Sequence, residues 1–171
     1  MQGFVQVYTG DGKGKTTAAL GLALRAAGAG LKVYIGQFIK NAEYSELKAL
    51  QRLADSITIE QFGRGCFILT EPCQADRDAA RQALAAIGQV LASGAYDLVI
   101  ADEANVAVAL QLISENDLLA LIEQRPPQVE LVLTGRGAPP SVMARADLVT
   151  EMRMVKHYYD RGILARKGIE G

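Results

Sequence analysis

Short apolar runs alternate with stretches of helical periodicity along the whole chain. Phe4 to Tyr8 is an apolar run that ends in a Gly-rich turn. Lys15 to Ala29 is rich in Ala and Leu, which favours helix until Gly28 and Gly30 stop it. Leu31 to Phe38 reads as a second strand, and Glu43 to Ala54 reads as a helix, with Leu47, Leu50 and Leu53 at helical spacing. Ser56 to Phe62 alternates Ile57 and Ile59 with polar residues, as a third strand does, and Phe62 to Pro72 reads as a loop. From Gln74 to Ser93, Ala80, Leu84, Ile87 and Leu91 recur every three or four residues, the pattern of an amphipathic helix ending at Gly94. Leu98 to Ala101 is a buried-type strand. Ser114 and Asp117 form a capping-box pattern, with Asp in place of Glu or Gln, that opens a helix through Gln124 before Pro126 and Pro127 stop it. Val129 to Thr134 is a further strand, Pro139 and Pro140 open a short helix, and Leu148 to Val155 is the last strand expected.

Strands separated by helices require crossovers, and right-handed crossovers yield a mainly parallel sheet with helices on both faces. The expectation is a single α/β domain over residues 1–171, with an irregular tail from about 156 to 171 that lacks periodicity. In such sheets ligands gather at the carboxyl ends of the strands.

Composition narrows the classes. The 171 residues are 50% hydrophobic and 22% charged with a formal net charge of -1, so the chain has core-forming capacity and no broad positive field for nucleic acid. Two cysteines, Cys66 and Cys73, and one histidine, His157, cannot close a structural zinc site. The chain opens Met-Gln-Gly-Phe-Val with neither a basic leader nor a long apolar stretch, and no apolar run approaches the ~20 residues that cross a bilayer. A cytosolic protein without membrane or nucleic-acid partners is expected.

The candidate chemistry begins at Thr9-Gly10-Asp11-Gly12-Lys13-Gly14-Lys15-Thr16-Thr17, between the first strand and the first helix. Its glycines let the backbone curl with amides turned into one concavity, and the helix starting near Lys15 adds the positive end of its dipole. Lys15, expected as an exposed loop charge, can reach a terminal phosphate, and the Thr16 hydroxyl can bind Mg²⁺ held by the same phosphates. A P-loop NTPase-like sheet is the implied architecture. The usual P-loop pattern places Gly where this chain has Thr9.

Downstream, Asp97 to Glu103 is an apolar strand that delivers two carboxylates to the same end of the sheet, as a Walker-B strand does. Asp102 and Glu103 can divide metal and water contacts between them. Thr134-Gly135-Arg136-Gly137 ends the next strand at that face, where Arg136 can grip an anion, although a Gly-rich turn with an exposed arginine reads the same. The cations of Lys156-His157 and of Arg161 to Gly168 read as a solvated tail.

Beyond the P-loop (TGDGKGKTT), the strings Gln37 to Lys40 (QFIK), Asp102 to Asn105 (DEAN), Leu133 to Gly137 (LTGRG), Asp147 to Glu151 (DLVTE), Val155-Lys156-His157 and Ala165 to Ile169 (ARKGI) occur in an order that resembles the P-loop corrinoid adenosyltransferases. The resemblance spans nearly the whole chain and makes Thr9 a family trait. It implies transfer of the 5′-deoxyadenosyl group of ATP to Co(I) of a reduced corrinoid, with release of triphosphate. It also implies an electron donor that supplies Co(I), and a homodimer. The P-loop then holds a leaving group: residues 10–17 would bind the phosphates, and Thr16 with Asp102 or Glu103 would hold Mg²⁺ or Mn²⁺. Lys15 and Glu103 are the expected catalytic groups, with Thr9 and Arg136 as further nucleotide candidates. Where the family often carries a Gly-Glu-Gly-Phe-Thr-Trp-like loop on the corrinoid side, this chain reads Gly63-Arg64-Gly65-Cys66-Phe67-Ile68, so Cys66 and Ile68 replace two aromatic residues. Phe62 and Phe67 are the candidates for the apolar wall. A P-loop kinase or ATPase, which would form ADP, and a noncatalytic ATP- or corrinoid-binding carrier are the competing readings.

Overall fold

A computed structural model describes residues 2–65 and 71–170. Six strands, β1 (Val5–Thr9), β2 (Val33–Gln37), β3 (Ile57–Gln61), β4 (Leu98–Asp102), β5 (Glu130–Thr134) and β6 (Leu148–Glu151), form one sheet in the order β3-β2-β4-β5-β1-β6, with every neighbouring pair parallel. Helices α1 (Lys15–Gly28), α2 (Ser45–Leu50), α3 (Gln74–Ser93), α4 (Ala104–Ala109), α5 (Glu115–Gln124) and α6 (Pro140–Arg145) lie in the connections.

The central strands alternate between two apolar layers because successive side chains leave a strand on opposite faces. Val5, Val7, Tyr34, Val99, Leu131 and Leu133 join the buried faces of α3, α4, α5 and α6, including Ile87, Leu91, Ala107, Leu118 and Val142. Val33, Ile35, Leu98, Ile100 and Val132 point the other way, onto Ala19, Ala23 and Ala26 of α1 and Leu50 of α2. This double burial is why β2 and β4 read as continuous apolar runs rather than as alternating ones.

The expected elements are present, with informative differences. The long second helix is a short α2 followed by a 3-10 turn, Gln51–Leu53. Helix α4 is additional: its six residues leave β4 directly after Glu103, too short for helical periodicity to register. Ser114 and Asp117 do cap α5 reciprocally, so the shorter acid serves. Strand β6 ends at Glu151, not Val155, because the chain then turns onto the P-loop: the Met152 amide donates to the Thr9 carbonyl at 2.8 Å and the Met152 carbonyl accepts from the Gly12 amide at 2.7 Å.

The tail also has order that its lack of periodicity hides. A 3-10 turn spans Tyr158–Arg161, Glu170 accepts from Tyr158 and Arg166, and Lys13 of the P-loop donates to the Ile169 carbonyl at 2.7 Å. Among the described residues no helix is long and apolar enough to cross a membrane.

Candidate active site

The P-loop, the ends of β2, β4 and β5, and the turn after β2 meet at the carboxyl edge of the sheet. Gly10 and Gly14 have φ of 92° and 124°, the left-handed region that glycine enters freely, and a side chain on Gly12 would bring its Cβ within 2.7 Å of the Met152 carbonyl oxygen. The glycines therefore serve both the curl of the loop and the close passage of the chain beyond β6. Because Met152 engages the Gly12 amide, the donors left for an anion are concentrated at the start of α1, where the first amides have no intrahelical partner.

Lys15 is not an exposed loop charge. It is 9% exposed, and its ammonium donates to the carbonyls of Gly10 at 2.6 Å and Gly12 at 2.7 Å, bracing the loop from inside. Burial, with repulsion from Arg136, lowers its pKa, and Glu103 and Asp11 oppose that shift. A lysine held in low dielectric beside fixed dipoles is a strong receptor for negative charge.

Asp102 is 1% exposed and accepts four hydrogen bonds. Its Oδ1 accepts from Thr16 Oγ1 at 2.9 Å and Thr134 Oγ1 at 2.6 Å; its Oδ2 accepts from Gln37 Nε2 at 2.9 Å and Lys40 Nζ at 2.7 Å. Burial pushes its pKa up, but the Lys40 charge and hydrogen bond, with those of the two threonines, outweigh this and hold it below the ordinary carboxylate value. Gln37 is in turn fixed by Gln61 Nε2 at 3.0 Å.

Glu103 differs from its neighbour. Its backbone sits at φ 61°, a left-handed conformation for a residue with a side chain, held by its amide donating to Thr134 Oγ1 at 3.0 Å. Its carboxylate lies 3.9 Å from Lys40 Nζ, and burial plus the Asp102 charge raise its pKa against the pull of Lys40, Lys15 and Arg136.

Hydroxyl and carboxylate oxygens of Thr16, Asp102 and Glu103 thus surround one cation, the Lys40 ammonium, at 3.3, 2.7 and 3.9 Å. Hard oxygen donors that already enclose a positive charge suit Mg²⁺ or Mn²⁺, which take few protein ligands and complete their shell with phosphate and water. Among the described residues no group of three or more His, Cys, Asp or Glu could hold a metal without such help.

Of the other expected residues, Thr9 uses its hydroxyl to accept from the Ala138 amide at 3.2 Å, which ties the loop to the turn after β5. That bond gives a threonine a purpose where the usual pattern has glycine. Arg136 is exposed and donates to the Asp11 carbonyl at 3.3 Å, so it stands at the P-loop. Lys13 is committed to the tail, and the Thr17 side chain lies on an exposed position of α1. Phe62 is half-buried against the α3-side core and its amide donates to the Gln37 carbonyl at 3.0 Å. Phe67, with Cys66 and Ile68, lies outside the described residues. Gln37, Lys40 and Thr134 carry no assigned role in the sequence reading, yet all three contact Asp102. Gln37 and Thr134 each end a buried apolar run with a polar residue, the signal that singles out Asp102 itself.

Comparison with known proteins agrees with this geometry. The family model described as ATP:corrinoid adenosyltransferase BtuR/CobO/CobP matches residues 1–171. A corrinoid adenosyltransferase of Pseudomonas aeruginosa is 38% identical over 170 residues, covering 99% of this chain and 84% of that protein. A corrinoid adenosyltransferase of Escherichia coli is 35% identical over 173 residues, covering 99% and 86%, and the corrinoid adenosyltransferase CobA of Salmonella typhimurium is 34% identical over 173 residues with the same coverage.

Proposed function

From the premise that this chain belongs to the ATP:corrinoid adenosyltransferase family, we propose that the carboxyl edge of its sheet binds the triphosphate of ATP as a leaving group while the reduced cobalt of a corrinoid attacks the ribose C5′. The Co–C bond forms as the C5′–O bond breaks, and the electron pair of that bond leaves with tripolyphosphate. Negative charge thus grows on the departing chain, not on a transferred phosphoryl group. The buried Lys15 ammonium and the amides at the start of α1 would meet that charge, and the lysine, held largely out of water, is worth more there than in solution. The single observation that carries this reading is the Thr16–Asp102 hydrogen bond of 2.9 Å, which ties the P-loop to the end of β4 and so supports one shared site for polyanion and metal in a chain matched over its whole length.

Thr16, Asp102 and Glu103 would hold Mg²⁺ or Mn²⁺, which when bound supplies positive charge to the phosphate oxygens. Thr9 would set the loop against the β5 turn, and Arg136 would approach the phosphates from outside. Phe62 and Phe67 would supply the apolar wall on the corrinoid side, since removing cobalt's lower ligand calls for a dry, bulky surface. A separate electron donor would supply Co(I). A homodimer is supported by the apolar edge left exposed along Leu148 and Val149 of β6 and at Val155, which is 95% exposed.

The test is anaerobic incubation with ATP, Mg²⁺ and chemically reduced corrinoid, followed by identification of the inorganic product. Tripolyphosphate with an alkylated cobalt spectrum is expected; ADP, or orthophosphate beside unmodified cobalt, would refute it. Lys15→Ala should abolish turnover, a loss of at least ~10²-fold, and should loosen the P-loop as well, since it removes an internal brace.

A further inference from the structure

The turn that delivers Lys40 is unusual in its backbone and tight in its packing. Ile39 lies at φ 67°, a costly conformation for a β-branched residue. The Lys40 amide donates to the Phe38 carbonyl at 2.6 Å, the Gly63 amide donates to the Lys40 carbonyl at 2.9 Å, and the Asn41 amide donates to the Gly65 carbonyl at 2.9 Å. Gly63 passes so close that a Cβ there would lie 1.8 Å from the Ile39 carbonyl oxygen. Strain maintained by this many contacts fixes where the side chain goes. The ammonium lands 2.7 Å from Asp102 Oδ2, 3.3 Å from Thr16 Oγ1 and 3.9 Å from Glu103 Oε1, among the oxygens assigned above to the divalent ion.

We infer that Lys40 is a positioning residue that acts as the resident cation of the metal site: it holds Asp102 and Thr16 in ligating geometry in the free protein and yields them when a divalent ion arrives with the nucleotide. The ammonium sits on Asp102 Oδ2 at 2.7 Å and within 3.3 Å of Thr16 Oγ1, so an ion taken by Thr16 Oγ1 and Asp102 Oδ1 would stand within a few ångströms of it, and repulsion between the two positive centres drives the ammonium off. Without nucleotide that exchange gathers extra positive charge between Lys15 and Lys40. The triphosphate supplies the compensating charge, so metal and ATP bind cooperatively and Lys40 sets the strength of the coupling. The inference rests on the reading of Thr16, Asp102 and Glu103 as the divalent site.

The experiment measures Mn²⁺ binding by electron paramagnetic resonance, with and without ATP and without corrinoid, in the wild type, Lys40→Met and Lys40→Arg. The wild type and Lys40→Arg should bind Mn²⁺ weakly alone and much more tightly with ATP. Lys40→Met should bind Mn²⁺ alone at least ~10-fold more tightly than the wild type, which shrinks the ATP-dependent ratio by the same factor. An unchanged ratio in Lys40→Met overturns the inference while leaving the metal assignment intact. Failure of ATP to recruit Mn²⁺ to any of the three proteins overturns both. Should Lys40→Met not fold, the wild type decides: a lysine-ammonium ¹⁵N resonance absent from Lys40→Arg should shift when Mg²⁺ and ATP are added together, and an unmoved resonance at saturation overturns the inference.

Discussion

The P-loop is held between two walls of different construction. On its inner side stand the ends of β4 and β5, where Asp102 gathers Thr16, Thr134, Gln37 and Lys40 in a water-poor cluster of short hydrogen bonds. On its outer side the chain beyond β6 and the tail reach the loop mainly through backbone groups, Met152 to Gly12 and Ile169 to Lys13, at an exposed edge of the sheet. The inner wall is where a charge is worth most, because water is excluded there and partners are fixed. The outer wall supplies shape: it sets how far the loop can open and leaves no room for a side chain on Gly12.

The sharpest way to break this division is Asp102→Asn. It keeps the volume but removes the charge that Lys40 faces, and its amide nitrogen meets a site already crowded with donors. Lys40 then keeps only Glu103, at 3.9 Å, as counter-charge, so the cost approaches the about 3–5 kcal/mol of a broken buried pair, which urea unfolding should register as a lower midpoint at unchanged slope. Turnover should fall by ~10²-fold or more, and Mn²⁺ binding in the presence of ATP should weaken with it. A variant of near-normal stability would mean that Glu103 suffices as the counter-charge of Lys40 and that the inner wall is less tightly determined than its hydrogen bonds indicate.

Gly12→Ala tests the outer wall. Its Cβ would lie 2.7 Å from the Met152 carbonyl oxygen and 2.8 Å from the Arg153 carbonyl carbon, so the backbone beyond β6 must move. Overpacking of this kind costs about 1–3 kcal/mol. The activity loss should come chiefly as a raised KM for ATP, because the outer part of the loop and the chain beyond β6 shift while Thr16 and Asp102, joined on the inner side, stay in place. A fall in kcat at unchanged KM would instead give the outer wall a part in the bond-breaking step.

The two walls also differ in how far they can be read from the sequence. The P-loop and the β4 carboxylates are legible because each is a local string placed between a strand and a helix, and strand and helix periodicities identify both. The role of Thr9 is not legible, since its partner is the Ala138 amide, 129 residues away. Gln37 and Thr134 carry a faint signal, a polar residue closing a buried strand. Lys40 stands in the QFIK string but nothing there gives it a partner, because it reaches Asp102 through a left-handed turn at Ile39 that no propensity would assign to isoleucine. The outer wall is the least readable from periodicity: its contacts end on the backbone carbonyls of Met152 and Ile169, which no side-chain pattern marks, so β6 reads four residues too long and the tail reads as formless although the DLVTE and ARKGI strings stand there. Burial misleads in one further place. Lys15 reads as an exposed charge because it stands in a Gly-rich loop, whereas the loop curls around it.

Glu170→Gln should have the smallest effect and most finely tests the ranking of the walls. Glu170 accepts from Arg166 and Tyr158 and lies 4.0 Å from Lys13, which organises the tail beside the P-loop. The hydrogen bonds from Arg166 and Tyr158 lower its pKa from 4.5 to about 2. A carboxylate whose pKa falls on folding contributes stability that is fully present above its unfolded value and is lost as pH drops through the folded one. Tail docking should therefore hold from neutral pH down to about 4.5 and loosen toward pH 2, while Glu170→Gln should show the loosened tail throughout. Trypsin cleavage after Arg166 and Lys167 at neutral pH reports this directly and should run faster in the variant. Because the group is solvent-exposed and its contacts screened, kcat/KM should change by less than about threefold. If removing this one exposed charge harmed turnover as much as Asp102→Asn does, the outer wall would be part of the reacting site, and the division drawn from burial would fail.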